Sequence, residues 1–178
     1  GNIRYGLMAI KNLGYNFIES MLTDDLLQRF NQTLFGNSDS YMQLTKEGLY
    51  QSIAKEVTHI ERLVLCNILG QMSDFHYYSN EKQETLTHLQ YGGTAYYYTE
   101  MPKIFKLSKL NLNPTLRTIQ SGISLRVLDI LGCQGTLLCN YQPEILEYFE
   151  NEKDIIVYDS IEDAIEKALN QLHIVYKT

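Results

Sequence analysis

From residue 73 onward the chain alternates between short apolar runs and segments with helical spacing, which restricts the folds open to it. Thr136–Cys139 and Ile155–Val157 are short and mainly apolar, as expected of strands buried on both faces. Strands that alternate with helices are joined by right-handed crossovers into a parallel sheet with helices on both sides. The sequence therefore predicts an α/β fold with a doubly wound parallel sheet of about five strands.

The boundaries of these elements follow from apolar spacing and from turn residues. Strands are predicted at Asp74–Tyr78, Thr87–Gln90, Leu110–Asn113, Gly135–Asn140 and Asp154–Tyr158. Helices are predicted at Glu81–Leu86, Met101–Lys109, Gly122–Cys133, Pro143–Phe149 and from Ile161 to about Leu172, the last one capped by Ser160.

The amino-terminal third has a different pattern and is predicted to be mainly helical. Thr23 and Thr45 are each followed by apolar residues at helical spacing, so both are candidate helix caps. We expect a helical segment over residues 1–70, packed on an α/β domain over residues 71–178, with one domain overall. The first residues look like a boundary within a longer protein.

Composition excludes several classes of protein. The 178 residues carry a net charge of -6, and no basic stripe suits a nucleic-acid backbone. No apolar run approaches the roughly 20 residues of a membrane span. The three cysteines and four histidines are scattered, so we expect reduced core thiols in a cytoplasmic protein and no metal site.

In open α/β sheets, ligands bind beyond the carboxyl ends of the strands. One such loop leaves the strand at Asn113 and enters a helix next to Gly122, whose small size lets backbone approach a bound anion. Arg126 and Asp129 lie on one face of that helix and suit a phosphate and ribose hydroxyls. An Arg126–Asp129 ion pair within the helix is the alternative. Neither a P-loop nor a GxGxxG fingerprint is present.

Two groups of tyrosines are weaker candidates. Tyr141 follows a predicted strand, where it either stacks on a base or sugar or covers the sheet edge. Tyr96–Tyr98 precede Thr99, a plausible helix cap, and at least one of the three is expected in the core; a cofactor-binding role for the triplet is the less favoured alternative.

A set of spaced residues between positions 97 and 163 carries the most specific resemblance to a known family. These residues are Met101-Pro102, Phe105, Ser108-Lys109, Leu112-Asn113, Thr115, Ile119, Ser121-Gly122-Ile123, Leu125-Arg126, Asp129, Cys133, Gly135, Asn140–Glu144, Phe149, Val157-Tyr158, Ser160 and Glu162-Asp163. Together they resemble the bacterial spore-maturation (CgeB-like) glycosyltransferases. Upstream, the run from Thr58 to Arg62 is similar to a helix of that family.

The resemblance implies a Rossmann-like domain, the carboxy-terminal, donor-binding half of a GT-B type group-1 enzyme whose amino-terminal acceptor domain is missing. It implies that Asp129 binds the donor's ribose, at a position where related enzymes carry glutamate. Those enzymes have a second glutamate where this chain has Ser121, which leaves sugar contact open. Arg62 either points toward donor phosphates or pairs with a carboxylate. Asn113, Gly122, Arg126 and Tyr141 complete the candidate donor site.

The implied activity is transfer of a sugar from a UDP- or GDP-linked donor to an unknown acceptor, without a metal or other cofactor. The catalytic residues are unknown, and the chain alone is expected to be inactive. A catalytically degenerate module that binds a nucleotide or a protein is the alternative. A signalling receiver domain is disfavoured because the third strand ends in Leu112-Asn113-Pro114, without the acidic residue of that class.

Overall fold

A computed structural model describes residues 17–36, 43–119 and 122–173. The helices are α1 (Phe17–Met21), α2 (Asp24–Phe35), α3 (Lys46–Met72), α4 (Met101–Leu107), α5 (Leu125–Gly132), α6 (Ile145–Tyr148) and α7 (Ile161–Leu172). The strands are β1 (His76–Tyr77), β2 (Gln90–Tyr91), β3 (Asn111–Asn113), β4 (Leu137–Asn140) and β5 (Ile156–Tyr158).

The chain separates into two compact units. Among the described residues, the first holds 17–36, 43–59 and 116–118, and the second holds 60–115, 119 and 122–173. Helix α3 contributes its first half to one unit and its second half to the other. The division predicted near residue 70 stays a prediction.

The first unit is helical, as predicted, and both predicted caps are confirmed. The Thr23 hydroxyl accepts a hydrogen bond from the Leu26 amide at 3.3 Å, and the Thr45 hydroxyl accepts one from the Gly48 amide at 3.0 Å. Each bond satisfies an amide that the first helical turn leaves without a partner. A small apolar core fills this unit with Ile18, Leu22, Leu49 and Ala54.

The second unit is built on a parallel sheet of order β3-β4-β5. Strand β4 is central, and all four of its residues are buried. Leu137 and Cys139 pack with residues of α4, α5 and α6, whereas Leu138 packs with residues of α3 and α7. Helices therefore cover both faces of this sheet, which explains why β4 is apolar at successive positions.

The remaining two strands form a separate parallel pair, with His76 opposite Gln90 and Tyr77 opposite Tyr91. All five predicted strands are present, although they are shorter than predicted. Within the described residues they form sheets of two and three strands, where one sheet of about five was predicted. Strands β1 and β2 each carry one exposed residue, so they lack the apolar second face that a doubly covered sheet requires.

The predicted helix at Glu81–Leu86 is wrong, because this segment forms turns. Side chains from other elements hold its backbone: the Gln83 amide donates to the Tyr77 hydroxyl at 3.0 Å, and the Asn67 amide group donates to the Thr85 carbonyl at 2.9 Å. The segment has a single strongly apolar residue, Leu86, and therefore no stripe to bury.

Helix α7 agrees with its predicted bounds and cap. The Ser160 hydroxyl accepts from the Asp163 amide at 3.1 Å, and the Asp163 carboxylate accepts from the Asp159 amide at 3.1 Å, so a reciprocal capping arrangement begins the helix. No helix in the described part of the chain is long and apolar enough to cross a membrane.

Replacement of Ser160 by alanine should lower the free energy of unfolding by about 1 kcal/mol, because the Asp163 amide loses its partner. Urea denaturation followed by circular dichroism measures this change. Thr33→Ala is the control: its exposed hydroxyl bonds only the Arg29 carbonyl inside α2, and alanine favours a helix interior. Equal stability of Ser160→Ala and the native protein would contradict the capping role.

Candidate functional site

The carboxyl ends of β3, β4 and β5 lie at one edge of the sheet because the three strands are parallel. Asn140 ends β4 and fixes the loop that follows β3. Its Oδ1 accepts from the Thr115 amide at 2.7 Å, and its Nδ2 donates to the Thr115 carbonyl at 3.1 Å. Both residues are buried, so this loop leaves the sheet in a defined direction.

Asn113, a predicted site residue, lies at this edge and ties the loop to the start of α5. Its Nδ2 donates to the Thr115 hydroxyl at 3.2 Å and to the Ser124 hydroxyl at 3.5 Å. The side-chain nitrogen therefore positions the loop. Ser124 precedes α5 and makes no side-chain cap bond to the helix.

Gly122 is exposed and has a φ of 88°, a conformation that side chains other than glycine rarely adopt. Apart from Gly122 and its two chain neighbours, no atom of the described residues lies within 4 Å of the position a Cβ would take. The backbone before α5 therefore borders open space, as an approach to a bound group requires. Ser121 lies outside the described residues, and its role stays a prediction.

Arg126 is held by apolar atoms. Its guanidinium carbon lies 5.4 Å from the centre of the Phe105 ring, and its Nη1 lies 3.5 Å from the Met101 sulfur. Arg126 and Asp129, both described residues, do not form an ion pair with each other. The alternative prediction of an ion pair within the helix is therefore wrong. Aromatic and sulfur contacts orient the guanidinium without neutralising its charge.

Asp129, one turn further along α5, accepts a hydrogen bond on Oδ1 from the Tyr97 hydroxyl at 2.7 Å. This bond to the carboxylate raises the pKa of Tyr97 above its usual value, because ionisation would remove the proton that is donated and place two negative charges together. The predicted ribose-binding carboxylate thus already binds a hydroxyl group.

The tyrosines before α4 are exposed at 71% for Tyr96, 49% for Tyr97 and 88% for Tyr98. The expectation that at least one lies in the core is wrong. They stand in a turn where the Tyr96 amide donates to the Glu100 carboxylate at 2.8 Å, and this turn directs the rings to solvent. Glu100, not Thr99, precedes the helix.

Arg62 lies on α3, and its guanidinium reaches the loop after β3. Nε and Nη2 donate to the Pro114 carbonyl at 3.0 and 2.7 Å. In the described part of the chain no carboxylate forms an ion pair with Arg62, so its charge stays available close to this edge. Neither a phosphate-binding role nor a purely structural one follows from this contact alone.

Tyr141 continues the strand direction beyond β4, since its amide donates to the Tyr158 carbonyl at 2.7 Å. Its side chain is 37% exposed, which is compatible both with stacking on a ligand and with covering the sheet edge. Tyr141 is therefore at the predicted edge, with its role still open.

Sequence analysis did not single out Gln142, although it lies at the same edge. Gln142 is 2% exposed, and among the described residues neither the nitrogen nor the oxygen of its amide has a hydrogen-bond partner. A buried polar group without a partner costs about 1–3 kcal/mol. Its position two residues after a buried strand is the sequence signal that marks it.

Gln142→Met should raise the free energy of unfolding by about 1–2 kcal/mol, since an apolar chain of similar length replaces a buried amide without partners. Chemical denaturation measures the change. Asn111→Leu is the matched contrast, because the buried Asn111 amide group donates to the Phe105 and Thr136 carbonyls at 2.9 and 3.1 Å; this variant should lose stability. A similar loss in both variants would contradict the account of Gln142.

The cysteines are free, and two of them have weakly acidic thiols. Burial raises the pKa of Cys66 to about 11, against an opposing effect of the Arg62 charge. Burial raises the pKa of Cys139 to about 12. Both agree with the interpretation as core residues. The described residues contain no group of three or more His, Cys, Asp or Glu side chains placed to hold a metal ion.

The second unit thus has an α/β fold with a parallel sheet that helices cover on both faces. An open glycine precedes α5, and within α5 Arg126 has no acidic partner among the described residues. Both features suit an anionic ligand. A family model described as glycosyl transferase-like matches residues 46–173. The protein belongs to this glycosyl transferase-like family. No curated protein and no solved structure matches the chain significantly.

Proposed function

We propose that this protein binds a nucleotide diphosphate sugar at the start of α5 and transfers its sugar to an acceptor. The observation that carries the proposal is the position of Arg126, which is oriented by Phe105 and Met101 and has no carboxylate partner among the described residues. Membership of the glycosyl transferase-like family supports the same activity.

The diphosphate is proposed to lie beside Gly122 and Arg126. A guanidinium matches phosphate geometry with two parallel hydrogen bonds, and the open space at Gly122 lets backbone approach the ligand. Arginine and nearby amides would offset the negative charge that develops on the leaving phosphate during transfer. A second arginine, Arg62, lies at the β3 end and adds positive charge near this edge.

The ribose is proposed to bind Asp129, because a carboxylate accepts hydrogen bonds from two neighbouring hydroxyls. The Tyr97 hydroxyl, 2.7 Å from Asp129 Oδ1, shows that this oxygen is accessible to such a donor. UDP and GDP are the first ligands to test. Resemblance to the spore-maturation transferases supports a Rossmann-like donor half of a GT-B enzyme, and this finer assignment belongs to the proposal.

A nucleotide-binding module without turnover is the second candidate function. Ser121 favours it, since related transferases carry a sugar-contacting glutamate at that place. An assay for donor hydrolysis and transfer with the full-length protein separates the two: released sugar or glycosylated product supports the enzyme, whereas nucleotide binding without either supports the module.

Arg126→Gln should weaken the binding of UDP or GDP about tenfold or more, because a charge-assisted contact to phosphate contributes about 1.5–3 kcal/mol. Isothermal titration calorimetry measures the affinity, and circular dichroism verifies the fold. The control Lys153→Gln removes one positive charge from an exposed pair with Glu150 and should leave the affinity unchanged.

Unchanged nucleotide affinity in Arg126→Gln would overturn the placement of the diphosphate. Equal weakening in Lys153→Gln would indicate that only the overall charge of the protein matters.

A further inference from the structure

We propose that Tyr97 and Tyr98 form the surface on which the nucleobase of the donor stacks, and that the Tyr97 hydroxyl occupies the ribose site until the donor binds. This inference rests on the proposed function, since it takes Asp129 as the ribose acceptor. It assigns a binding role to a segment that lies before α4, outside the loops at the carboxyl edge.

The two tyrosine rings lie next to the ribose acceptor. The Tyr97 hydroxyl is 2.7 Å from Asp129 Oδ1, and the centres of the Tyr97 and Tyr98 rings are 5.0 Å apart in an edge-to-face arrangement. A base attached to a ribose held by Asp129 has to lie within a few ångströms of that carboxylate. Both tyrosines are exposed, Tyr97 contacts Asp129 directly, and Tyr98 contacts the ring of Tyr97.

The Tyr97 and Tyr98 rings are exposed to solvent. Tyr97 is 49% exposed and Tyr98 is 88% exposed, so both rings present aromatic surface to a ligand. The turn that presents them is fixed, because the Glu100 and Met101 amides donate to the Tyr96 carbonyl at 3.0 and 3.1 Å. A fixed turn that holds aromatic faces in solvent is suited to stacking, since little order has to be gained on binding.

The hydroxyl and the ring of Tyr97 have opposite effects in this arrangement. The hydroxyl donates to the carboxylate that the ribose needs, so it competes with the ligand. The ring offers a π-face to any base, so it favours the ligand. Once ribose hydroxyls replace the tyrosine hydroxyl on Asp129, the Tyr97 ring is released to lie against the base.

Two substitutions of Tyr97 distinguish the effect of its hydroxyl from the effect of its ring. Tyr97→Phe keeps the ring and removes the competing hydroxyl, so UDP or GDP should bind about three- to tenfold more tightly, as loss of one competing hydrogen bond predicts. Tyr97→Ala removes the ring, so the nucleotide should bind about tenfold more weakly or worse. Neither substitution should change the affinity for inorganic pyrophosphate, which lacks a base and a ribose.

A double-mutant cycle tests whether the tighter nucleotide binding of Tyr97→Phe arises from the loss of its hydrogen bond to Asp129. In the Asp129→Ala background the hydroxyl has no carboxylate to occupy, so adding Tyr97→Phe should no longer tighten nucleotide binding. Alanine is a strong helix former, which keeps α5 intact. Tyr148→Phe, at a tyrosine that is 71% exposed on α6, is the matched control and should bind nucleotide like the native protein.

Isothermal titration calorimetry with UDP, GDP and pyrophosphate measures the affinity of each variant. Tighter binding by Tyr97→Phe, weaker binding by Tyr97→Ala and loss of the gain without Asp129 support the inference. Native affinity in both Tyr97 variants, or equal weakening in both, overturns it while the proposed function stands. If the native protein binds neither nucleotide, the proposed function fails and this inference fails with it.

Discussion

Burial of β4 between two layers of helices is the constraint on which the second unit depends. Its residues Leu137 and Cys139 pack on one side and Leu138 on the other. Because helices cover both faces of the strand, its first three residues are apolar, and both of its neighbours are parallel strands. Asn140 then ends the strand and fixes the Thr115 loop, so the same burial that stabilises the sheet also positions the candidate site.

Most described polar groups at that edge form hydrogen bonds with other groups of the protein. Arg126 and Gln142 differ from these groups. Arg126 packs against an aromatic ring and a sulfur atom, and Gln142 is buried with no hydrogen-bond partner in the part of the chain that the structure describes. Asp129 has a tyrosine hydroxyl as its partner, which another hydroxyl can replace. The orientation of Arg126, the hydroxyl partner of Asp129 and the open backbone at Gly122 are the features on which the proposed donor site rests.

Sequence patterns predicted the strands, most helices and the caps at Thr23, Thr45 and Ser160, because these depend on local spacing and local hydrogen bonds. They did not predict the split into two sheets, since pairing depends on which faces neighbouring elements cover. The helix predicted at Glu81–Leu86 failed because contacts from Tyr77 and Asn67 override weak local preference. The strand–glycine–helix layout and the resemblance both pointed to Arg126 and Asp129. Their contacts with Phe105 and Tyr97 come from residues distant in sequence, so only the fold reveals them.

Nuclear magnetic resonance of the isotope-labelled protein, titrated with UDP and with GDP, tests the central claim most directly. Binding at the start of α5 predicts that the amide signals of Gly122, Arg126 and Asp129 shift in a saturable, concentration-dependent way, together with the side-chain signals of Tyr97. Signals of β1 should not move. Saturable shifts confined to other parts of the chain, or no shift with either nucleotide, would contradict the account.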